Sequence, residues 1–437
     1  MKTPLTLITF SLALSSSLIA ADYYVSAARG KGKSATKEKP AKDLGNIIKK
    51  LVPGDTVHIA EGNYVGRGGN GSDVITVPVS LIGGYSDDFS KRDPWGAHRT
   101  IFSGENKSKN FDSSTRLLID LMKYRAKEMP KIVVDGIIID DGPRNRYSKG
   151  EGKVIVRMAN PKTGENPTPS QGGLVIRASK TGNFDAGAHW DITVQNCIVM
   201  NTAPTQGALT VSGYKDSKIK ISNNIVINNT GTAIMAGTKY VGDKAGPDFD
   251  ISHNTVLFTW KYEPITQSFS GNSFKADNGA TVKLTNNVFA FADRAGINNI
   301  SKAALLLKDN LIAGNVATDY LEFDTKIDLD DIEDEAEYLH DDTGGNVAGD
   351  VKPPVSQEWL KLYGARILID RNAQAADVKV QKTRANELRR ILGLPVQGTD
   401  VAAPKTNVWL HQLSVDDAVK AGSAKYLGKY GSSLPKG

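Results

Sequence analysis

Trp260-Lys261 and Asp293-Arg294 stand six and seven residues after Asn254 and Asn287, the same distance from a repeated asparagine. An aromatic plate, two cations and a carboxylate at equivalent points of successive turns would make a track for a sugar polymer. Aromatic faces pack on the C–H faces of sugar rings, and arginine grips a carboxylate through two parallel hydrogen bonds. Abstraction of the proton beside a uronate carboxylate needs a base and a positive charge to hold the enolate-like intermediate. Lys261 and Arg294 are of the right type to act as base or charge stabiliser, Trp260 as sugar platform, and Asp293 as an orienting or ion-binding group. Asn201-Thr202 and Asn229-Thr230 fall near the equivalent place in preceding turns, and Lys239, Tyr240, Tyr262 and Lys275 border the same edge. A set of ordinary solvated turns is the competing reading of these residues.

The elements that would position them announce themselves as a repeat. The runs ITVQNCIVMN, IKISNNIVIN, FDISHNTVLF, VKLTNNVFAF and LLLKDNLIAG align on Asn196, Asn224, Asn254, Asn287 and Asn310, at separations of 28, 30, 33 and 23 residues. Short β-rich runs recurring at such a period signal a solenoid. Coils of a parallel β-helix lie ~4.8 Å apart, so equivalent side chains stack in register. Asparagine offers a donor and an acceptor to such a column and tolerates the left-handed backbone of a sharp bend. The column therefore speaks for fold rather than chemistry. Ile192, Val194, Ile198, Ile219, Ile221, Val226, Ile251 and Val256, or their neighbours, face inward. His253 replaces Asn223 and Asn286 of other coils and reads as a polar variant of the stack; His189-Trp190 is a second titratable candidate.

The chain divides into five segments. Residues 1–21 read as an export signal, with Lys2, an apolar stretch over 5–19 and the small pair Ala20-Ala21. Residues 22–73 form an N-terminal cap, with strands at 23–26 and 56–60 and an amphipathic helix over 41–51 presenting Leu44, Ile47, Ile48 and Leu51. Residues 74–315 carry the coils, interrupted by a polar insertion at 144–171. Residues 316–350 make an acidic linker, and 351–437 a tail with helices at 356–363, 383–392 and 415–426. No segment after the leader is apolar enough to cross a membrane, and the expected destination is secreted, periplasmic or cell-surface. The expected state is a monomer.

Charge and motifs narrow the partners. Lys and Arg number 54 against 48 Asp and Glu, which favours a polyanion such as an acidic polysaccharide. Nucleic acid is not expected, because the one basic cluster, within residues 31–42, belongs to a solvated loop of the cap. A phosphate loop, a His-Glu-x-x-His pair and a Cys-x-x-Cys pair are all absent. No motif demands a cofactor. Ca²⁺ is the ion the oxygen ligands would suit, at Asp248 and Asp250 or in the acidic run, though that run lacks the glycine turn and terminal glutamate of an EF-hand. The single cysteine, Cys197, lies in a repeat strand, forms no internal disulfide and reads as a small buried apolar residue.

YYVS (23–26), PGDTVHIAEGNY (53–64), VSLIGGYSDDF with RDPW and TIFSG (79–104) and VDGIIIDDG (134–142) resemble the secreted parallel β-helix proteins of the pectin-lyase-like superfamily. The resemblance covers roughly residues 22–315. It implies an all-β, right-handed parallel β-helix, and it leaves function open among lyases, glycoside hydrolases, epimerases and non-catalytic surface proteins. In lyases of this kind the base is often Lys or Arg, sometimes beside Ca²⁺. The Gly-His-Gly, Trp-x-Asp-His and Asp-Pro-His-Asp signatures of three of its families are missing, so no catalytic residue carries over. Asp140-Asp141 mimics an aspartate pair yet closes a coil as such turns do. The expectation is an exported polysaccharide lyase cleaving a uronate-containing polymer by β-elimination. The alternative is a non-catalytic glycan-binding surface or matrix protein. A glycoside hydrolase comes third, and would need two carboxylates at a suitable separation.

Overall fold

A computed structural model describes residues 20–436 apart from 33, 68–70, 107–114, 125–129, 143–144, 148–153, 157–171, 179–188, 203–206, 239–245, 261–270, 278, 357–358, 360–389 and 394–411. Its strands form three long sheets of nine, eight and nine strands, taken below as first, second and third in the order the chain visits them. One coil shows the path: Asp191–Gln195 in the first sheet, Ile198–Met200 in the second, Gly207–Gly213 in the third, then Lys218–Ser222 back in the first. Neighbours within each sheet are parallel and come from successive coils, except at the far edge of the third sheet, where Thr325–Ile327 folds back antiparallel on Thr318–Glu322. The molecule is a right-handed parallel β-helix.

The register follows from the alternation of side chains along a strand. Ile192, Ile219, Phe249, Val282 and Leu305 pair in line, as do Val194, Ile221, Ile251, Leu284 and Leu307. All ten are at most 3 % exposed and belong to the interior column of the coils. A slip of one residue would turn this whole row to water, so register is strongly specified.

The corner between the first and second sheets holds the asparagines. Asn224 Oδ1 accepts from the backbone N–H of Cys197 at 2.9 Å, and Asn254 Oδ1 accepts from Asn224 N–H at 3.0 Å. The same contact recurs from Asn254 to Asn287 (3.0 Å), from Asn287 to Asn310 (3.0 Å) and from Asn310 to Asn346 (3.1 Å). Each side-chain amide also donates to a strand carbonyl, as Asn254 Nδ2 does to Ile221 O at 2.9 Å. Asn224, Asn254, Asn287 and Asn310 are fully buried. Asn196 is not one of them. It occupies the left-handed bend one residue earlier, at φ +53°, in line with Asn223, His253, Asn286 and Asp309 at φ +51° to +56°. Cys197 takes the ladder position in that coil, so the spacing from Asn196 runs to Asn223.

Both ends and one flank are covered. Residues 41–51 do not form an α-helix. Two 3₁₀ turns, Leu44–Asn46 and Ile48–Lys50, replace it: Gly45 is a poor helix former in mid-segment, and the Asp43 side chain caps the first turn by accepting from Asn46 N–H. Leu44, Ile47 and Leu51 still bury against the first coils. At the far end the coils run on past residue 315: Thr318–Glu322 pairs with Ala295–Asn298, and Asn346 extends the ladder. The acidic run contributes Leu329–Asp331 and Ile332–Glu335, with Ile332 buried on the core. The outer face of the second sheet is apolar, with Ile198, Ile225, Leu257, Val288 and Leu311 buried beneath the C-terminal segment. There the helix Val415–Ser423, capped by Ser414, sets Ala418, Ala421 and Gly422 against the sheet. The tail thus packs along the solenoid. Most of the sequence-predicted helix over 383–392 lies outside the described residues, as does most of that over 356–363.

Candidate functional site

The residues expected to form a sugar track fall at the corner between the second and third sheets. Asp293 and Arg294 join the strands Val288–Ala292 and Ala295–Asn298 and are each 9 % exposed. Arg294 donates its backbone N–H to Gly271 O at 2.8 Å, and its carbonyl accepts from Ala317 and Thr318. Trp260 ends the strand Thr255–Trp260, in register with Thr230 one coil before. Lys275 is half-buried in the third sheet, in register between Met235 and Asn298. Asn229 needs correcting. It is fully buried, its Oδ1 accepts from Thr202 N and Oγ1 at 2.9 Å each, and its Nδ2 donates to Val199 O at 3.0 Å. With both ends of its amide used inside the coil, it braces the bend and offers nothing to a surface ligand. Lys239, Tyr240, Lys261 and Tyr262 lie outside the described residues.

Asp140 ends a strand of the second sheet close to the same corner. Its Oδ1 accepts from Gly142 N and Asn201 Nδ2 at 2.8 Å each. Burial, with a smaller push from Asp141, raises its carboxyl to about 6 against the opposing pull of those two donors. Asn201 also clasps the tail, accepting from Leu413 N at 2.9 Å and donating to Leu413 O at 3.0 Å. This places Asp140 in the seam between coil and tail, as a structural acid. Cys197 is wholly buried, and burial pushes its thiol up to about 12, which leaves it unreactive.

A concavity opens elsewhere, on the outer face of the first sheet. It has a volume of about 510 Å³ and runs across the strands from Lys131 and Asp191 to Leu306, with His340 on its wall. Two in-register rows of outward side chains line it. One reads Asp191, Lys218, Asp248, Thr281, Ala304, and the next Thr193, Lys220, Asp250, Lys283, Leu306. Lys131 pairs with Asp191 at 3.7 Å, and Lys218 with Asp248. Alternating sign in a row lets neighbours attract where identical charges would repel. Lys220 and Lys283 flank Asp250, are exposed, and enter no ion pair among the described residues. The signal was present in the sequence as the period-two patterns DITV, KIKI, DFDI and TVKL. Asp248 and Asp250 stand out in the sequence as oxygen ligands, but the lysines that flank them in neighbouring coils come beside them only once the register is known. Asp248 and Asp250 both belong to this face, and among the described residues no group of three or more His, Cys, Asp or Glu is placed to hold a metal ion.

The same face continues to the N-terminal coils, where Asp22, Tyr24, His58 and Tyr85 gather. His58 Nε2 lies 3.0 Å from Asp22 Oδ1 and its Nδ1 lies 3.2 Å from Tyr85 Oη. A carboxylate only accepts, so Nε2 carries the proton, and in the neutral ring Nδ1 accepts from the Tyr85 hydroxyl. Tyr24 stacks on the imidazole at 4.9 Å, with Phe89 at its edge. Burial raises the Tyr85 phenol, partly offset by Arg92.

Fold and surface together define a three-sheeted parallel β-helix with a charged groove across one outer face. No protein-family model matches the chain, and no curated protein does. Among solved structures it is similar to XylC in complex with xylose, at 11 % identity over 69 % of each chain and a TM-score of 0.27. It is also similar to the GH136 lacto-N-biosidase from Eubacterium ramulus, at 11 % identity over 75 % of this chain and 68 % of that one, with a TM-score of 0.20. Likeness at this level carries no argument, and the fold rests on the strand register itself.

Proposed function

We propose that this is an exported polysaccharide-active β-helix that lays an acidic polysaccharide across the outer face of its first sheet. The groove of about 510 Å³ carries the reading. Its volume is within the range of small-ligand sites, roughly 300–1,000 Å³. Four lysines line it against three aspartates, and the lysines without an ion pair, Lys220 and Lys283, sit two strands apart. Strands stack at ~4.8 Å, so these ammonium groups recur at roughly 10 Å, a spacing suited to a polymer with regularly repeated carboxylates. Their methylene stems, with Leu306, supply the apolar surface on which sugar C–H faces rest.

Cleavage of a uronate polymer by β-elimination is the second reading, favoured by Asp293-Arg294 at a corner where the connections 141–173 and 261–271 are long. On this reading Lys261 or Arg294 is base or charge stabiliser, Trp260 the platform and Asp293 the orienting group, with Lys239, Tyr262 and Lys275 alongside. Incubation with alginate, pectate, glucuronan and glycosaminoglycans, following both retention of polymer and absorbance of the unsaturated product, separates the readings. Retention without product supports the binding protein. Product that disappears in Lys261→Ala or Arg294→Ala supports the lyase. Neither retention nor product on any polymer overturns both.

A further inference from the structure

The first residues of the described chain meet a buried charge. Ala21 donates its N–H to Asp55 Oδ1 at 2.9 Å, and Asp55 Oδ2 accepts from Val52 N–H at 2.7 Å. Asp55 is fully buried. Among the described residues no Lys, Arg or His forms an ion pair with it. A carboxylate taken out of water and held only by neutral amides is costly, and buried charges are normally paired. A cation at the position of the Ala21 nitrogen would supply such a partner. That nitrogen is already fixed there, because the Ala21 carbonyl accepts from Thr56 N–H at 3.0 Å and the strand Asp22–Val25 follows at once. The sequence supplies an independent reason to place a chain start here. The sequence alone reads residues 1–21 as an export leader ending in two small residues, Ala20 and Ala21, and the contact of Ala21 with Asp55 favours the bond before Ala21 over the one after it. Ala20 and Ala21 are both exposed, so the bond between them is within reach of a peptidase.

We propose that hydrolysis of the Ala20–Ala21 bond creates the mature N-terminus, and that the new α-ammonium group of Ala21 becomes the counter-ion of Asp55. The step consumes one water. Its oxygen goes to the Ala20 carbonyl, which departs with the leader as a carboxylate, and the Ala21 nitrogen leaves as an amine that takes up a proton. A bond from a neutral amide to a carboxylate thereby becomes a bond between opposite charges at the start of the first sheet. Asp22, the next residue, holds His58, so processing also steadies the aromatic end of that face.

The sign of the pH effect is fixed. An amine paired with a carboxylate has its pKa raised above the ordinary α-amino value of about 8. Its stabilisation is therefore complete below about pH 8 and is lost as pH rises through the raised value. The exported full-length chain should have an intact mass corresponding to a start at Ala21; a start at Asp22, or a retained leader, overturns the proposal. The chain beginning at Ala21 should also melt about 2 °C or more above the same chain carrying one extra N-terminal glycine at pH 7, with the gap closing by about pH 11. Equal melting at pH 7 overturns it, and this comparison leaves Asp55 untouched. Asp55→Asn should remove the gap, and a gap that persists in that variant counts against the pairing.

Discussion

Asn254 bonds to the coils on both sides of it, as the central rungs of the ladder do. Its Oδ1 accepts from Asn224 N and Nδ2 at 3.0 and 2.9 Å, and its Nδ2 donates to Ile221 O and Asn287 Oδ1 at 2.9 Å each. Asn254→Ala strands the buried amide of Asn224 and should cost on the order of 3 kcal/mol, read as a lower denaturation midpoint with an unchanged slope. Asp140 tests the seam with the tail. Its carboxyl is raised to about 6, so the folded chain holds the proton more tightly than the unfolded one. The stability this supplies is present at acidic pH and lost as pH rises through about 6. Asp140→Asn keeps an acceptor for Asn201 and Gly142 without the charge. It should remove that loss and gain on the order of 2 kcal/mol over the native chain at pH 8, measured as denaturation midpoint against pH. The ladder was readable in the sequence to within one residue. Each rung's Oδ1 accepts from the preceding coil, so the first coil need only donate a backbone N–H, and Cys197 serves where the eye expects an asparagine.

At the scale of elements, the helix Val415–Ser423 shows what a sequence can and cannot disclose. Its existence was legible, and the structure caps it with Ser414 and ends it at Ser423 where the sequence had run it to 426. Its docking partner was not legible, because an apolar helix face states that it will be covered without saying by what. The second sheet's outer face, from Ile198 to Leu311, is the complement, and no local pattern links segments more than a hundred residues apart. Gly422 marks the closest approach. A Cβ there would stand 2.3 Å from Ile225 Cδ1. Gly422→Val should therefore lift the helix, costing about 1–3 kcal/mol and opening the tail to limited proteolysis while the coils stay protected. The segment 41–51 makes the opposite point. Leu44, Ile47 and Leu51 were placed correctly, but Gly45 and the Asp43 cap go with 3₁₀ turns in place of the helix its periodicity suggested.

For the whole molecule, stacking converts a short sequence pattern into a surface. One outward lysine is unremarkable; Lys220 and Lys283 in register across parallel strands become a row of charge with a defined pitch. The expected track at Asp293 and Arg294 lies at the corner between the second and third sheets, away from the first sheet's groove. Turn residues stand out in the sequence because binding in solenoids concentrates on loops, whereas the charged groove lies on a sheet face. The most direct test is calorimetric titration of an alginate hexasaccharide into the native protein and into the Lys220→Glu, Lys283→Glu double variant, whose exposed substitutions leave the core alone. The account predicts binding by the native protein that weakens as salt rises, and at least about tenfold weaker binding by the variant. Equal affinity for both proteins, or affinity indifferent to salt, would contradict it.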